Sequence, residues 1–295
     1  MFTEDRAARY LHVEGWSTTE LVDAILEGQL AAIAAALGAA QAIAAAVEQA
    51  AARLEHGGRL IYAGAGTSGR IAVQDGVELG PTYGWRHDRL AFLIAGGADA
   101  LQTSSEAAED DAVAGKAALD ALAAGPNDVV IGVAASGRTP YTCAIVETAR
   151  TTGALTIGVA SNSPSPLLEQ SEIPIYVPTG AEIVSGSTRM KAGTAQKAIL
   201  NTLSTAIMVK LGRVYMGQMT HMSVSNNKLR ERAIAMIAQI SGAGEEMSAR
   251  ALDTCSLDIP TAILVACGED PGAARAKLER TGGNLARALR ENDRA

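Results

Sequence analysis

Aromatic side chains are scarce in this chain: two Trp, six Tyr and two Phe among 295 residues. The apolar content, 48% of residues, rests instead on alanine and small aliphatics, so its helices should pack closely. A basic surplus is missing too. The net charge is -7, and Arg and Lys are scattered without a run. That excludes a nucleic-acid partner, because a phosphate backbone needs a basic face. Cysteine is limited to Cys143, Cys255 and Cys267. An odd, irregularly spaced set builds no disulfide framework and reads as free thiols in a reducing cytosol, so a cytoplasmic location is expected. Met1–Arg6 shows no basic stretch leading into an apolar one, and no signal peptide is expected. The Ala-rich run Ala31–Ala52 is broken by Gln41, Glu48 and Gln49, so no membrane-spanning stretch is expected. His12, His56, His87 and His221 lack metal-ligand spacing, so no metal site is expected. Neither a Walker motif nor a nucleophile elbow is present.

Enough apolar and little enough charged sequence (19%) remains for a globular core. From Ser17 to Leu54 the spacing predicts two amphipathic helices, opened by the capping box Ser17-Thr18-Thr19-Glu20 and closed by Gly57-Gly58. His56 falls at a helix C-terminus, where a cation is favoured. Five short apolar runs follow, separated by helical stretches: Leu60–Ala63, Leu90–Ile94, Val129–Ala134, Leu155–Ala160 and Ile173–Val177. Such alternation predicts an α/β fold with a doubly wound parallel sheet covered on both faces. Helices are expected over Thr188–Leu211 and Ser225–Ile240. Short helices punctuated by Pro260, Pro271 and Gly282-Gly283 should follow. The expected organisation is an N-terminal helical segment (1–56) packing on a sheet domain (57–240), then a small all-helical domain (241–295).

The strand ends carry the chemistry. Gly64-Ala65-Gly66-Thr67-Ser68-Gly69-Arg70 follows the first strand. Its glycines admit a ligand close to the backbone, and the next helix offers free N–H groups to an anion. The segment also satisfies the dinucleotide fingerprint, but the second strand ends Ile94-Ala95-Gly96-Gly97 without the ribose-holding acid. A second hydroxyl-rich turn, Ser136-Gly137-Arg138-Thr139, follows the third strand. Two matched turns on one sheet edge suit a single compact phosphate. A third segment, Ser185-Gly186-Ser187-Thr188-Arg189-Met190-Lys191, leads into a helix containing Lys197, with Ser187 or Thr188 as its N-cap. For Arg189 and Lys197, ligand contact and a solvated basic face weigh equally. The expected substrate-binding set is Gly66, Thr67, Ser68, Ser136, Gly137, Arg138, Thr139, Ser187, Thr188 and Lys191. Two carboxylates stand out, Glu78 at the far end of the helix that follows the first loop, just before Gly80-Pro81, and Glu109 in Glu106-Ala107-Ala108-Glu109-Asp110-Asp111. On pattern alone each reads first as a solvated helix residue.

These three segments, the third extended through Ala192-Gly193-Thr194-Ala195-Gln196-Lys197, closely resemble the N-acetylmuramic acid 6-phosphate etherase family. That family belongs to the sugar isomerase (SIS) domain proteins, alongside the glucokinase regulatory protein. The likeness runs from about Ser17 to Asn292. It implies a five-stranded SIS-type sheet with a small C-terminal helical domain. It also implies a homodimer and cleavage of the lactyl ether of a phosphorylated amino sugar, without metal or organic cofactor. It maps the family's two active-site glutamates onto Glu78 and Glu109. A helix starting at Thr67 and Ser68 sets Glu78 about 15 Å from a phosphate at its start, so active sites shared between two subunits are expected. The chain departs from the family pattern at Ala7, where Asn is usual, and in Gly76-Val77-Glu78-Leu79-Gly80-Pro81, where Ser precedes and Cys-Pro-Pro follows the glutamate. The same resemblance keeps two other readings open, a sugar-phosphate sensor without chemistry and an aldose–ketose isomerase.

Overall fold

Ser17 starts the first long helix. Its hydroxyl accepts the Glu20 N–H, and the Glu20 carboxylate takes the Ser17 N–H at 2.9 Å. Two N–H groups that a helix start leaves open are thus satisfied reciprocally. In the computed structural model, which describes residues 3–103 and 106–292, this helix, α1, spans Thr18–Gly38 and α2 spans Ala40–Glu55. α2 buries Ile43, Ala46, Val47, Ala50 and Leu54 on one face, as helical spacing requires.

α1 buries only alanines, Ala24, Ala32 and Ala36. Its other face leaves Val22, Leu26, Leu30, Ile33 and Leu37 exposed. α1 has 21 residues, and an 18-residue window of it has a mean hydropathy of 1.5, so it is long and apolar enough to cross a membrane by length and composition. This corrects the expectation of no such stretch. The interrupting Gln41, Glu48 and Gln49 lie downstream of the apolar window. One face of α1 is nevertheless docked on protein: Gln29 accepts a hydrogen bond from the Thr194 hydroxyl, and Gly28 lies against the Lys191 stem, where a Cβ would meet Cδ at 3.3 Å.

The sheet holds β1 (Leu60–Gly64), β2 (Leu90–Ile94), β3 (Val129–Val133), β4 (Leu155–Ala160) and β5 (Ile173–Tyr176) in the order β2-β1-β3-β4-β5, all pairs parallel. β1, β3 and β4 are buried at every residue, which is why each reads as an unbroken apolar run. The helices between them are α3 (Gly66–Val77), α4 (Leu79–Tyr83), α5 (Glu106–Glu109), α6 (Ala112–Leu122), α7 (Pro140–Thr151) and α8 (Pro166–Gln170). After β1 the chain turns to β2 on one side, and after β3 to β4 on the other. The point between β1 and β3 is therefore the topological switch, where open α/β sheets take their ligands. α9 (Lys191–Lys210) follows β5.

Within this part, α3 is fixed by its one buried acid. Asp75 accepts hydrogen bonds from the Tyr62 hydroxyl (2.6 Å), the Asn201 amide (2.5 Å) and the Ser204 hydroxyl (2.9 Å). Burial, and then the charge of Asp75, push the Tyr62 hydroxyl well above its ordinary pKa. Gly76 does not break α3. It makes room for the Phe92 ring, whose Cε1 would lie 2.5 Å from a Cβ there.

The chain divides into two compact units, 1–76 with 88–205, and 77–87 with 206–295. The expected division at 56/57 and 240/241 differs from this one. The N-terminal helices belong to the sheet unit, and α10 (Asn227–Ser241) joins the helical unit because it buries Ala233, Ile234, Met236 and Ile237 in that unit's core. The remaining helices there are α11 (Glu245–Thr254), α12 (Ile259–Ala266), α13 (Pro271–Arg280) and α14 (Leu285–Asn292). Asn226, Asp258 and Asp270 cap α10, α12 and α13, and Pro260 and Pro271 sit in first turns, where no N–H is lost.

His221 is held inside this helical unit. Its Nε2 lies 2.9 Å from the Gly283 carbonyl, and its Nδ1 lies 3.2 Å from the Thr220 hydroxyl and 3.3 Å from the Arg213 carbonyl. Burial, and next the Arg213 charge, lower its pKa from 6.5 to about 4. Between those values the unfolded chain takes up a proton that the folded chain refuses. Stability therefore falls as pH drops from 6.5 towards 4, by ~3 kcal/mol over the whole window, and is unaffected by this group above it. Urea denaturation at pH 7.5 and 4.5 should show this loss in the wild type and a smaller one in His221→Gln. Equal losses in both would remove His221 as the cause.

Candidate active site

The first turn of α3 begins directly at the end of β1. Gly66 adopts φ +52°, a left-handed conformation that glycine takes without strain. Gly69 packs against β1 so closely that a Cβ on it would lie 3.1 Å from the Gly64 carbonyl oxygen. This contact seats the helix over the strand end and leaves the N–H groups of Gly66, Thr67 and Ser68 without intrahelical acceptors. α7 begins the same way beyond β3. Pro140 occupies its first turn, and Thr139, the N-cap, makes no side-chain capping bond. The Ser136 hydroxyl accepts the Arg138 N–H at 3.1 Å, which shapes the turn and leaves the hydroxyl proton available.

A cavity of about 440 Å³ opens at this switch point. Gly66, Thr67, Ser68, Ser136, Thr139 and Thr188 line it. Glu109 lines it too. Its Oε1 lies 2.7 Å from where a Cβ on Gly66 would stand, so the carboxylate covers the start of α3. Sequence pattern favoured a solvated acid for Glu109, and the short α5 instead brings it over the cradle.

The other expected binding residues do not line the cavity. Gly137 is buried against Ser165. Arg138 donates to the Pro164 carbonyl at 3.2 Å. The Lys191 ammonium donates to the Thr179 carbonyl at 2.9 Å, and burial lowers its pKa. Ser187 is not among the lining residues. Nor does Ser187 or Thr188 cap α9. Glu182, 1% exposed, takes the N–H groups of Lys191 and Ala192, each at 3.0 Å. A carboxylate already occupies that helix start, so the third loop offers hydroxyls but no anion-binding N-terminus. Glu78 is exposed between α3 and α4, at the N-terminal edge of α4, and makes no capping bond. It belongs to the helical unit's residues, whereas every residue lining the cavity belongs to the sheet unit.

Sequence reasoning missed Glu4, which also lines the cavity. The N-terminal strand of chain is threaded there by long-range bonds. The Thr3 N–H donates to the Asn162 side chain at 3.0 Å, and the Asn162 amide returns to the Thr3 hydroxyl at 3.0 Å. Ser185 donates to the Glu4 carbonyl at 2.9 Å. Nothing in local spacing signals a partner 159 residues away. Among the described residues no cluster of His, Cys, Asp and Glu is arranged to hold a metal.

Comparison with known proteins agrees with this architecture. Residues 42–150 match the glucokinase regulatory protein N-terminal SIS domain, and residues 112–206 match the SIS domain. The N-acetylmuramic acid 6-phosphate etherase of Deinococcus radiodurans is 42% identical over 99% of this chain and 96% of its own length. Those of Rubrobacter xylanophilus (43%, 100% of this chain, 97% of its own) and Salmonella agona (42%, 98% of each) are similar to the same degree. Identity at this level over essentially the whole length, on a SIS-type sheet with a hydroxyl-lined cavity at the switch point, places the chain in the N-acetylmuramic acid 6-phosphate etherase family.

Proposed function

We propose that this chain cleaves the D-lactyl ether of N-acetylmuramic acid 6-phosphate, giving N-acetylglucosamine 6-phosphate and D-lactate. The observation that carries this reading is the Glu109 carboxylate over a phosphate cradle, in a chain of this family. A sensor that only binds needs the cradle but not the carboxylate.

The N–H groups opening α3 and the hydroxyls of Thr67, Ser68, Ser136 and Thr139 hold the phosphate. Its binding energy positions C2 and C3 of the sugar. Ring opening exposes an aldehyde at C1 and acidifies the C2 proton. Glu109 serves ring opening or removes that proton. The enolate then expels the C3 lactyl oxygen, which Glu78 protonates, and water adds back at C3. The sugar skeleton gains the hydroxyl that replaces lactate, so no oxidant or reductant is needed. The route uses no metal or organic cofactor, and turnover should survive EDTA.

The chain works as a homodimer with shared sites in the cytoplasm. The apolar outer face of α1 supports association with a second copy, since five exposed large hydrophobics on one helix face are unusual for a surface left to water. Incubation with N-acetylmuramic acid 6-phosphate should release D-lactate, and absence of lactate with substrate intact would sink the proposal. Ser68→Ala and Ser136→Ala should weaken substrate affinity ten-fold to a hundred-fold each, because a hydrogen bond to a charged group contributes about 1.5–3 kcal/mol. Isothermal titration measures this, and wild-type affinity in both variants would take their hydroxyls out of the phosphate site.

A further inference from the structure

The helical unit contains a second cavity, of about 310 Å³, at the small end of ligand-pocket size. Arg213, Arg275, His221, Asp258 and Glu279 all face it. Arg213 is the informative member. Its guanidinium lies flat over Gly283, with Cζ, Nη1 and Nη2 all 3.8–3.9 Å from where a Cβ would stand. Its Nε is buried and has no hydrogen-bond partner. Among the described residues neither Arg213 nor Arg275 is in an ion pair. A guanidinium withdrawn from water without a paired anion is costly.

The neighbouring groups relieve that cost only in part: Asp258 acts on Arg213 through its charge, but no ion pair joins the two among the described residues. His221 spends its ring nitrogens on Gly283, Thr220 and the Arg213 carbonyl. Asp258 caps α12, its Oδ2 taking the Thr261 N–H at 3.1 Å and the Thr261 hydroxyl. A planar fork of donors therefore faces an open cavity whose rim also carries the acceptors Asp258 and Glu279. Guanidinium forks match carboxylate and phosphate oxygens, and rim acceptors match hydroxyl groups.

We infer that this cavity is a second ligand site, one that takes a small hydroxylated oxyanion on Arg213 and Arg275. The site is separate from the phosphate cradle and does not rest on the proposed reaction. Two sources share this chemistry, a 2-hydroxy carboxylate and a phosphate, and D-lactate and inorganic phosphate probe them in turn.

The test uses the full chain carrying Ser68→Ala and Ser136→Ala, so that the cradle does not contribute. Isothermal titration with each probe should show saturable binding by at least one. Arg275→Gln, an exposed change, should weaken that binding at least ten-fold without altering the fold. Arg213→Gln should abolish it, with folding verified by circular dichroism. The His221 ring resonances should shift on titration, locating the ligand beside Arg213. Binding of one probe alone assigns the source. Absence of saturable binding by both probes, or binding that persists undiminished in Arg275→Gln, would overturn the inference.

Discussion

Glu78→Gln should lower turnover of N-acetylmuramic acid 6-phosphate by about 100- to 10,000-fold, the range that a positioned general acid contributes, while substrate binding is retained. Gln is close to Glu in shape but cannot deliver a proton to the departing lactyl oxygen. The site is exposed and makes no capping bond, so the fold should not register the change. Single-turnover kinetics with isothermal titration separates the two quantities. A variant that keeps most of the wild-type rate would make Glu78 an ordinary helix-edge residue. The corresponding Glu109→Gln tests the other carboxylate and should also lose rate, by the same reasoning.

Sharing of the site between subunits can be tested with the same variant. α3 has 12 residues, about 18 Å at 1.5 Å per residue, and Glu78 follows its last one. The proposed shared site would have the glutamate of a two-fold partner serve a sugar anchored at the first turn of α3, as an isologous interface can deliver it. Mixed dimers of Glu78→Gln with Ser68→Ala/Ser136→Ala protomers then hold one intact site, and activity should partly return. Mixed dimers that form by native mass spectrometry yet stay as inactive as either parent would rule sharing out.

Asp75→Ala should destabilise the sheet unit by ~3–5 kcal/mol, because it strands several buried donors at once. The Tyr62 hydroxyl, the Asn201 amide and the Ser204 hydroxyl all end on this carboxylate. Tyr62 is fully buried and Ser204 is 3% exposed, so water cannot replace the lost acceptor. Tyr62→Phe alone removes one donor together with its need for a partner and should cost only about 1 kcal/mol. Placed in the Asp75→Ala background, it should recover stability, since the orphaned hydroxyl is gone. Chemical denaturation of the four proteins forms a double-mutant cycle. Strict additivity would mean that Asp75 acts by some route other than these bonds.

The two predictions rest on features of different visibility. Glu78 was found through a resemblance, since spacing alone left it a solvated residue. Asp75 drew no attention in the sequence, because one acid in a helix says nothing about burial. The difference is physical. Hydrophobic period, capping residues and glycine loops act over a few residues and can be read locally. Hydrogen bonds across more than a hundred residues cannot.

By itself the sequence determined the strands, since β1, β3 and β4 are buried on both faces and must be apolar throughout. It also determined α1, through the Ser17–Glu20 box, and the glycine and hydroxyl residues of the loops after β1 and β3 that line the cavity. Only the tertiary structure decided which side chains meet. It brought Glu4 to the cavity through Thr3 and Asn162 and laid Glu109 over Gly66. It gave the start of α9 to Glu182 and turned Lys191 and Arg138 to backbone carbonyls. Each of these depends on chain segments distant in sequence closing on one place, and loop closure leaves no periodic trace.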